Sequence, residues 1–225
     1  MDSLRMNRIN KLFFFLTWAG GISFAIIRGL EAKIPASFCF LLLGTLNLAY
    51  AQKRSGVSKA FPRTMFCALL LGFVADIALE LDFLIGAGTF AAGHVLYLFA
   101  YSRLAPLNRR DVLAISVLAL ICMSIVLFLP VLDFGSGFMQ KIVLVYALVI
   151  SLMLGKAISN YSRIPGKVTK RLLIGSCLFF FSDLMLLFAF FTDVGRIANI
   201  FCLNTYYPGQ AILAGSVFLF AETEV

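Results

Sequence analysis

Eight long apolar runs divide this chain, and short segments rich in charged or turn-forming residues separate them. Their approximate ranges are 12–27, 35–50, 64–85, 88–102, 112–129, 138–158, 172–191 and 197–220. A helix needs ~20 mostly apolar residues to cross the hydrocarbon core of a bilayer. The runs therefore predict an all-α, polytopic transmembrane helical bundle, with residues 1–225 forming a single integral membrane domain.

The composition excludes a soluble protein. Hydrophobic residues make up 61% of the 225 residues and charged residues only 13%, whereas soluble domains carry ~25% charged residues. Too few polar side chains are present to cover a surface in contact with water. We expect a multi-pass protein in contact with membrane lipid, in the inner membrane of a bacterium or an internal membrane of a eukaryote.

The basic residues are distributed by side of the membrane rather than along one nucleic-acid-binding face. Fifteen of the nineteen Lys and Arg residues precede the first run or lie in or beside the even-numbered gaps. The other four are Arg28, Lys33, Lys141 and Arg196. Short loops rich in Lys and Arg remain in the cytoplasm. Both termini are therefore predicted to be cytoplasmic, and no nucleic-acid partner is expected.

Two aspartates interrupt the apolar runs at matched depth. Asp76 follows Arg63 by thirteen residues and Asp183 follows Arg171 by twelve. In two helices that run in the same direction, this places both carboxyls ~18–20 Å from the cytoplasmic boundary. A carboxylate at the centre of a membrane costs ~2.5–3.5 kcal/mol on insertion scales. Both carboxyls are therefore predicted to face other helices or a polar cavity.

Further polar side chains lie at helical spacing in the same four runs, the third, fourth, seventh and eighth. They are Glu80, His94, Tyr97, Ser182, Tyr206, Tyr207 and Gln210. We predict that these four runs enclose a polar pocket and that the other four form its walls, with Asn47 in the second run as the main polar exception. The segments around Asp76 and Asp183 are loosely related, and their identity is too low to establish an internal duplication of four helices, which stays open.

The series Asp76, His94-x-x-Tyr97, Ser182-Asp183 and Tyr206-Tyr207-x-x-Gln210 resembles the YhhN family of membrane proteins in order and spacing. The resemblance covers most of the chain. This family includes the lysoplasmalogenases, which hydrolyse the vinyl ether bond of lysoplasmalogens. The resemblance thus implies an ether hydrolase that acts on a lysophospholipid substrate.

Hydrolysis of a vinyl ether requires proton delivery to its β-carbon, which produces an oxocarbenium-like cation to which water adds. Two carboxyls in a site of low dielectric can share one proton. Asp76 and Asp183 are therefore the candidate catalytic pair, one as general acid and the other as base and electrostatic stabiliser, as in glycoside hydrolysis. Which is the acid stays open. The residues predicted to position substrate or water are His94, Tyr97, Glu80, Asn47, Ser182, Tyr206, Tyr207 and Gln210.

Other mechanisms have weaker sequence support. A catalytic zinc site usually needs three protein ligands, and His94 is the only histidine, so neither a metal nor another cofactor is predicted. A Ser-His-Asp triad is not indicated, because no nucleophile-elbow motif surrounds Ser182. A proton-coupled transporter would use the same buried Asp and His groups, and it is the main alternative. A structural scaffold is a third, and the oligomeric state is open.

Overall fold

The computed structural model describes residues 2–27 and 29–223, and the regular secondary structure of these residues is helical. The eight helices that they form are α1 (Ser3–Ile27), α2 (Leu30–Lys53), α3 (Ala60–Leu81), α4 (Phe83–Ser102), α5 (Arg109–Phe128), α6 (Gly137–Arg163), α7 (Lys167–Phe191) and α8 (Gly195–Thr223). Every predicted run is a helix, which confirms the fold class. The physical reason is that a helix satisfies its backbone hydrogen bonds within its own segment when the solvent is lipid.

Seven of the helices formed by the described residues are long and apolar enough to cross a membrane, and α8 differs from them. The middle of α8 carries Tyr206, Tyr207 and Gln210, all of which are buried. These groups avoid lipid because α8 packs against α7, α2, α1 and α3 in the interior of the bundle. The protein is an integral multi-pass membrane protein, and the polar middle segment of α8 lies inside its bundle.

The two ends of the described chain lie at the same end of the bundle. The Ser3 hydroxyl at the start of α1 donates to Glu222 Oε2 near the end of α8 at 2.5 Å. Arg54, which follows α2, forms an ion pair with the same carboxylate. This arrangement requires an even number of passes, so α8 crosses the bundle like the others. That this end faces the cytoplasm stays a prediction from the charge distribution.

The boundary between α3 and α4 corrects the prediction made from the sequence. We expected the third run to extend to residue 85 and to break at residues 86–88, but Asp82 alone separates the two helices. The Asp82 carboxylate caps α4 by accepting a hydrogen bond from a first-turn backbone N–H at 2.9 Å, a favourable helix start. A Cβ on Gly86 would lie 2.5 Å from Leu79 Cα. That glycine therefore permits close helix packing instead of forming the turn.

The helices α1 and α5 begin the two halves of the chain but pack differently. α1 contacts both α2 and α8, whereas within the described chain α5 contacts α6 and does not pack against α4. A Cβ on Gly21 of α1 would lie 2.3 Å from the Tyr207 ring, which shows how tightly α1 closes on α8. α5 is instead held at its first turn, where buried Asp111 pairs with buried Lys156 of α6 at 2.9 Å.

Candidate active site

Asp76 lies buried in the interior of the bundle, on α3. Its Oδ2 accepts a hydrogen bond from the Ser37 hydroxyl of α2 at 2.6 Å and another from the Tyr206 hydroxyl of α8 at 2.9 Å. Hydrogen bonds that reach a buried carboxylate offset part of the cost of removing it from water. Neighbouring helices thus stabilise the Asp76 carboxylate, as the sequence led us to expect of a carboxyl at this depth.

A directed series of hydrogen bonds ends on Asp76. The Tyr97 hydroxyl of α4 donates to Gln210 Oε1 at 2.8 Å, and Gln210 Nε2 lies 3.3 Å from the Tyr206 hydroxyl oxygen. Because the amide nitrogen can only donate, the Tyr206 hydrogen is directed at Asp76. A Cβ on Gly72 would lie 2.9 Å from Gln210 Nε2, so this glycine makes room for the amide.

Asp183 has a different set of partners, on α6 and α4. Its Oδ2 accepts a hydrogen bond from the Tyr146 hydroxyl at 2.7 Å and lies 3.0 Å from His94 Nε2. The other ring nitrogen, His94 Nδ1, lies 3.1 Å from Met153 Sδ. A thioether sulfur is a weak acceptor, so a tautomer with its hydrogen on Nδ1 fits this contact.

This tautomer has a consequence for the contact between His94 and Asp183. With its hydrogen on Nδ1, a neutral imidazole has a bare acceptor at Nε2, and two bare acceptors 3.0 Å apart would repel. In either tautomer, a hydrogen between Nε2 and Oδ2 fits this contact, so His94 and Asp183 form one hydrogen-bonded pair.

The two carboxyls occupy equivalent positions in the two halves of the chain. Asp76 lies sixteen residues after the first residue of α3, and Asp183 lies sixteen after the first residue of α7. His94 and Tyr206 each lie eleven residues after the first residue of their helices, α4 and α8. The contacts cross between halves, since Asp76 binds a residue of α8 and Asp183 binds one of α4. This matched register agrees with the suggested duplication.

Both carboxyls line one cavity of about 530 Å³, which we call the polar cavity. It reaches the end of the bundle opposite the termini, since Gly29 before α2 and Gly195 at the start of α8 also line it. Other lining residues are Lys33, Glu80, Phe90, Ser182, Leu186, Arg196, Asn199, Cys202 and Tyr206. The contacts described above engage Oδ2 of each aspartate, so Oδ1 of each is available to a bound molecule.

Charged side chains lie towards the open end of the polar cavity. Lys33 Nζ of α2 pairs with Glu80 Oε1 of α3 at 2.8 Å and lies 5.3 Å from the centre of the Phe24 ring. Lys33 is buried, although the sequence placed it in a connecting segment. With Arg196 of α8, it supplies positive charge on the wall of the cavity.

The remaining predicted residues divide into two groups. Ser182 lines the polar cavity and its hydroxyl lies 3.4 Å from Cys202 Sγ, and the Tyr207 hydroxyl lies 3.4 Å from Ser37 Oγ, beside Asp76. Asn47 is not brought to the cavity. Its amide nitrogen donates to Asn10 Oδ1 and to the Ala214 carbonyl, both at 3.0 Å, so it joins α1, α2 and α8.

Sequence reasoning missed Ser37 and Tyr146, because it treated the second and sixth runs as walls. That prediction is wrong for both helices, since each provides a hydroxyl to a central carboxyl. A tyrosine hydroxyl within an apolar segment needs a polar partner when buried, and this could have identified Tyr146. A single serine in a membrane helix carries no comparable signal, because it can bond to the carbonyl one turn earlier.

A second space, which we call the apolar groove, starts at Asp183 and runs between α4, α5, α6 and α7. Its volume is about 90 Å³. Its walls include Phe83, Ala87, Cys122, Ile125, Val126, Ile142, Val143, Tyr146, Ala147, Ile150, Phe180, Leu184, Leu187 and Phe191. The groove and the polar cavity share Phe90, Asp183 and Leu186, so they meet at one catalytic candidate.

Comparison with known proteins assigns the chain to a family. The sequence model of the YhhN family matches residues 35–217. This range includes Asp76, Asp183 and the side chains that form hydrogen bonds with them. Searches of curated proteins and of solved structures find no match. The match covers most of the chain, and the protein therefore belongs to the YhhN family.

Proposed function

We propose that this protein is a membrane-embedded lipid hydrolase of the lysoplasmalogenase type. It would cleave the vinyl ether bond of a lysoplasmalogen to a fatty aldehyde and a glycerophospho-alcohol. The observation that carries the proposal is that Asp76 and Asp183, from different helices, line one polar cavity and are each held through a single oxygen. Membership of the YhhN family supports a hydrolase.

The reaction needs an acid, a base and negative charge near a developing cation. Protonation of the vinyl ether at its β-carbon leaves positive charge shared between the α-carbon and the ether oxygen. Water adds at the α-carbon and loses a proton, and the resulting hemiacetal breaks its bond to the glycerol oxygen, which is protonated as the aldehyde forms. Two carboxyls on opposite sides of the bond can supply these functions, as they do for glycosidic bonds.

Asp183 is the better candidate for the general acid. The 3.0 Å contact between His94 Nε2 and Asp183 Oδ2 supports a proton shared by the pair, and imidazole exchanges protons readily near neutral pH. His94 would return a proton to Asp183 after each turnover, and Tyr146 would hold the carboxyl in place. His94 is in this view a positioning and proton-exchanging residue that acts through Asp183.

Asp76 is the better candidate for the base and the electrostatic stabiliser. The directed series from Tyr97 through Gln210 and Tyr206 supplies a donor to its Oδ2, and Ser37 supplies a second. Donors of this kind stabilise the ionised form. An ionised Asp76 would stabilise the oxocarbenium-like cation and accept the proton of the attacking water.

The deciding experiment uses purified protein in lipid nanodiscs with three lysophospholipids that carry a vinyl ether, an alkyl ether or an ester chain. We expect aldehyde release from the vinyl ether lipid and no cleavage of the alkyl ether. Reconstituted protein is tested in parallel for proton-coupled solute flux in liposomes. Flux without aldehyde release would refute the hydrolase and support the transporter. Asp193→Asn, at an exposed position, should retain full activity as the control.

A further inference from the structure

We propose that the apolar groove holds the hydrocarbon chain of a single-chain lipid substrate while the polar cavity holds its glycerophosphate head. This inference rests on the proposed hydrolase function, because the two spaces meet at Asp183. It assigns a subsite for each end of the substrate and an orientation of the reacting bond. The occupant of the groove is thus one lipid chain of the molecule whose head lies in the polar cavity.

The chemistry of the two spaces differs as the two ends of a lysophospholipid do. The polar cavity carries Arg196 and also Lys33, which pairs with Glu80, and cationic side chains of this kind bind phosphate through charge-assisted hydrogen bonds. Apart from Asp183 and Tyr146, the described side chains that line the apolar groove are apolar. A molecule that fills both spaces needs an anionic head and a hydrocarbon tail joined near Asp183.

The groove exists because the second half of the chain is less closed than the first. α1 packs on α8, whereas α5 stays away from α4 among the described residues, and the groove occupies the space between them. α5 exposes Leu120 and Ile121 on its outer face. A chain can therefore enter sideways from the bilayer without leaving an apolar environment. One such groove accommodates one chain, which favours a lysolipid over a diacyl lipid.

The orientation places the reactive carbon on the side of the acid. In a vinyl ether the β-carbon belongs to the hydrocarbon chain, and the ether oxygen belongs to the head. With the chain in the apolar groove, the β-carbon lies beside Asp183 and the oxygen lies towards the polar cavity. This matches the proposed proton shared by the His94–Asp183 pair, which rests on their hydrogen-bond contact.

Photo-crosslinking locates the chain without requiring turnover. The probe is an alkyl ether lysophospholipid with a diazirine at the end of its chain, added to wild-type protein in nanodiscs. We expect label on α5 and α6 at groove positions away from Asp183, such as Val126 and Ile142, and competition by unlabelled lysolipid. Label mainly on α1 or α2 would overturn the proposal. So would equal, uncompeted labelling by a diacyl probe, because the groove would then hold only bilayer lipid.

Two matched variants on α5 test the same subsite by kinetics. Ile125 lines the apolar groove, whereas Ile121, one turn earlier, is exposed on the outside. Ile125→Trp should lower kcat/KM ~10-fold or more, equivalent to ~1.4 kcal/mol of lost binding. The loss should arise mainly through KM and be smaller for a short-chain substrate. Ile121→Trp should behave as wild type, and equal effects of the two substitutions would contradict the groove assignment.

A second pair of variants, on α6, tests the same subsite in case the α5 variants misfold. Ala147→Phe fills the groove, and Leu148→Phe places the same ring at an exposed position. The Ala147 variant should lose crosslinking by the chain-end probe while still eluting as a monodisperse protein, and retained crosslinking would refute the subsite. If wild-type protein releases no aldehyde but crosslinks as expected, the hydrolase proposal fails while the lipid-chain site stands.

Discussion

The two halves of the bundle, α1–α4 and α5–α8, present one aspartate each at the same helical position but surround it differently. Asp76 receives two hydroxyl donors, whereas Asp183 has one hydroxyl and the imidazole of His94. A hydroxyl holds its proton firmly at neutral pH, and an imidazole exchanges its proton readily. Matched backbones can thus carry one carboxyl suited to stabilising charge and another suited to transferring a proton.

The halves also differ in how their first helices close. α1 is locked on α8 where Gly21 meets Tyr207, and α5 is held to α6 by the buried pair between Asp111 and Lys156. The first arrangement closes α1 on α8, and the second leaves the apolar groove beside Asp183. Two aspartates at equivalent helical positions can therefore differ in how a substrate reaches them, because the helices beside them pack differently.

Removing either carboxyl tests the comparison most strongly. Asp76→Ala and Asp183→Ala should each lower aldehyde release ~10²–10⁴-fold, as expected for loss of a positioned acid or base. The measurement is initial rate in nanodiscs, on protein that elutes as a single species. Added formate should partly restore Asp76→Ala, because a small anion can replace a base and a stabilising charge. Rescue of Asp183→Ala instead would reverse the two roles.

Breaking the anchor of α5 should produce the largest loss of stability. Lys156→Met leaves the buried Asp111 carboxylate without its ammonium partner, and loss of one member of a buried pair costs ~3–5 kcal/mol. We expect the low end, since Arg163 Nη1 is 3.5 Å from the same carboxylate. Unfolding in mixed micelles measures the loss in the free energy of unfolding. The double variant with Asp111→Asn should be more stable than Lys156→Met alone, and an additive loss would argue against the pair.

The imidazole and the hydroxyl that occupy equivalent positions should differ in their contribution to rate. His94→Gln removes the imidazole beside Asp183, while Tyr206→Phe removes one donor to Asp76. A hydrogen bond to a charged group contributes ~1.5–3 kcal/mol, so Tyr206→Phe should lower kcat ~10–150-fold. His94→Gln should lower kcat by a larger factor and should change the shape of the pH–rate profile. Identical pH profiles in the two variants would contradict the proposed shared proton.

The closed contact of α1 should tolerate no added methyl group. Gly21→Ala places a Cβ 2.3 Å from the Tyr207 ring, and overpacking of this kind costs ~1–3 kcal/mol. Gly88→Ala is the matched control, because no atom lies within 4 Å of its Cβ position. It should be neutral or slightly stabilising through helix propensity. Thermal unfolding of both variants measures the difference, and equal melting temperatures would refute the tight contact.

Much of the architecture could be predicted from the sequence because lipid restricts the possible structures. An apolar run of membrane-spanning length has to be helical, so the eight helices followed directly from hydropathy. The depth of Asp76 and Asp183 also followed from counting, because the helical rise per residue is constant. The boundary at Asp82 did not follow from hydropathy. The Asp82 carboxylate caps α4, so this helix begins before residues 86–88, three small residues that are typical of a turn.

The sequence by itself determined the helical bundle, the even number of passes and the matched depth of the two aspartates. These are local properties, since each depends on one segment and its solvent. Only the tertiary structure decided that Ser37 binds Asp76, that Tyr146 binds Asp183, and that Asn47 lies elsewhere. It also decided that the space beside Asp183 stays open. Such pairings depend on which helices become neighbours. When the outer face of a helix is apolar, its sequence does not indicate which helix it packs against.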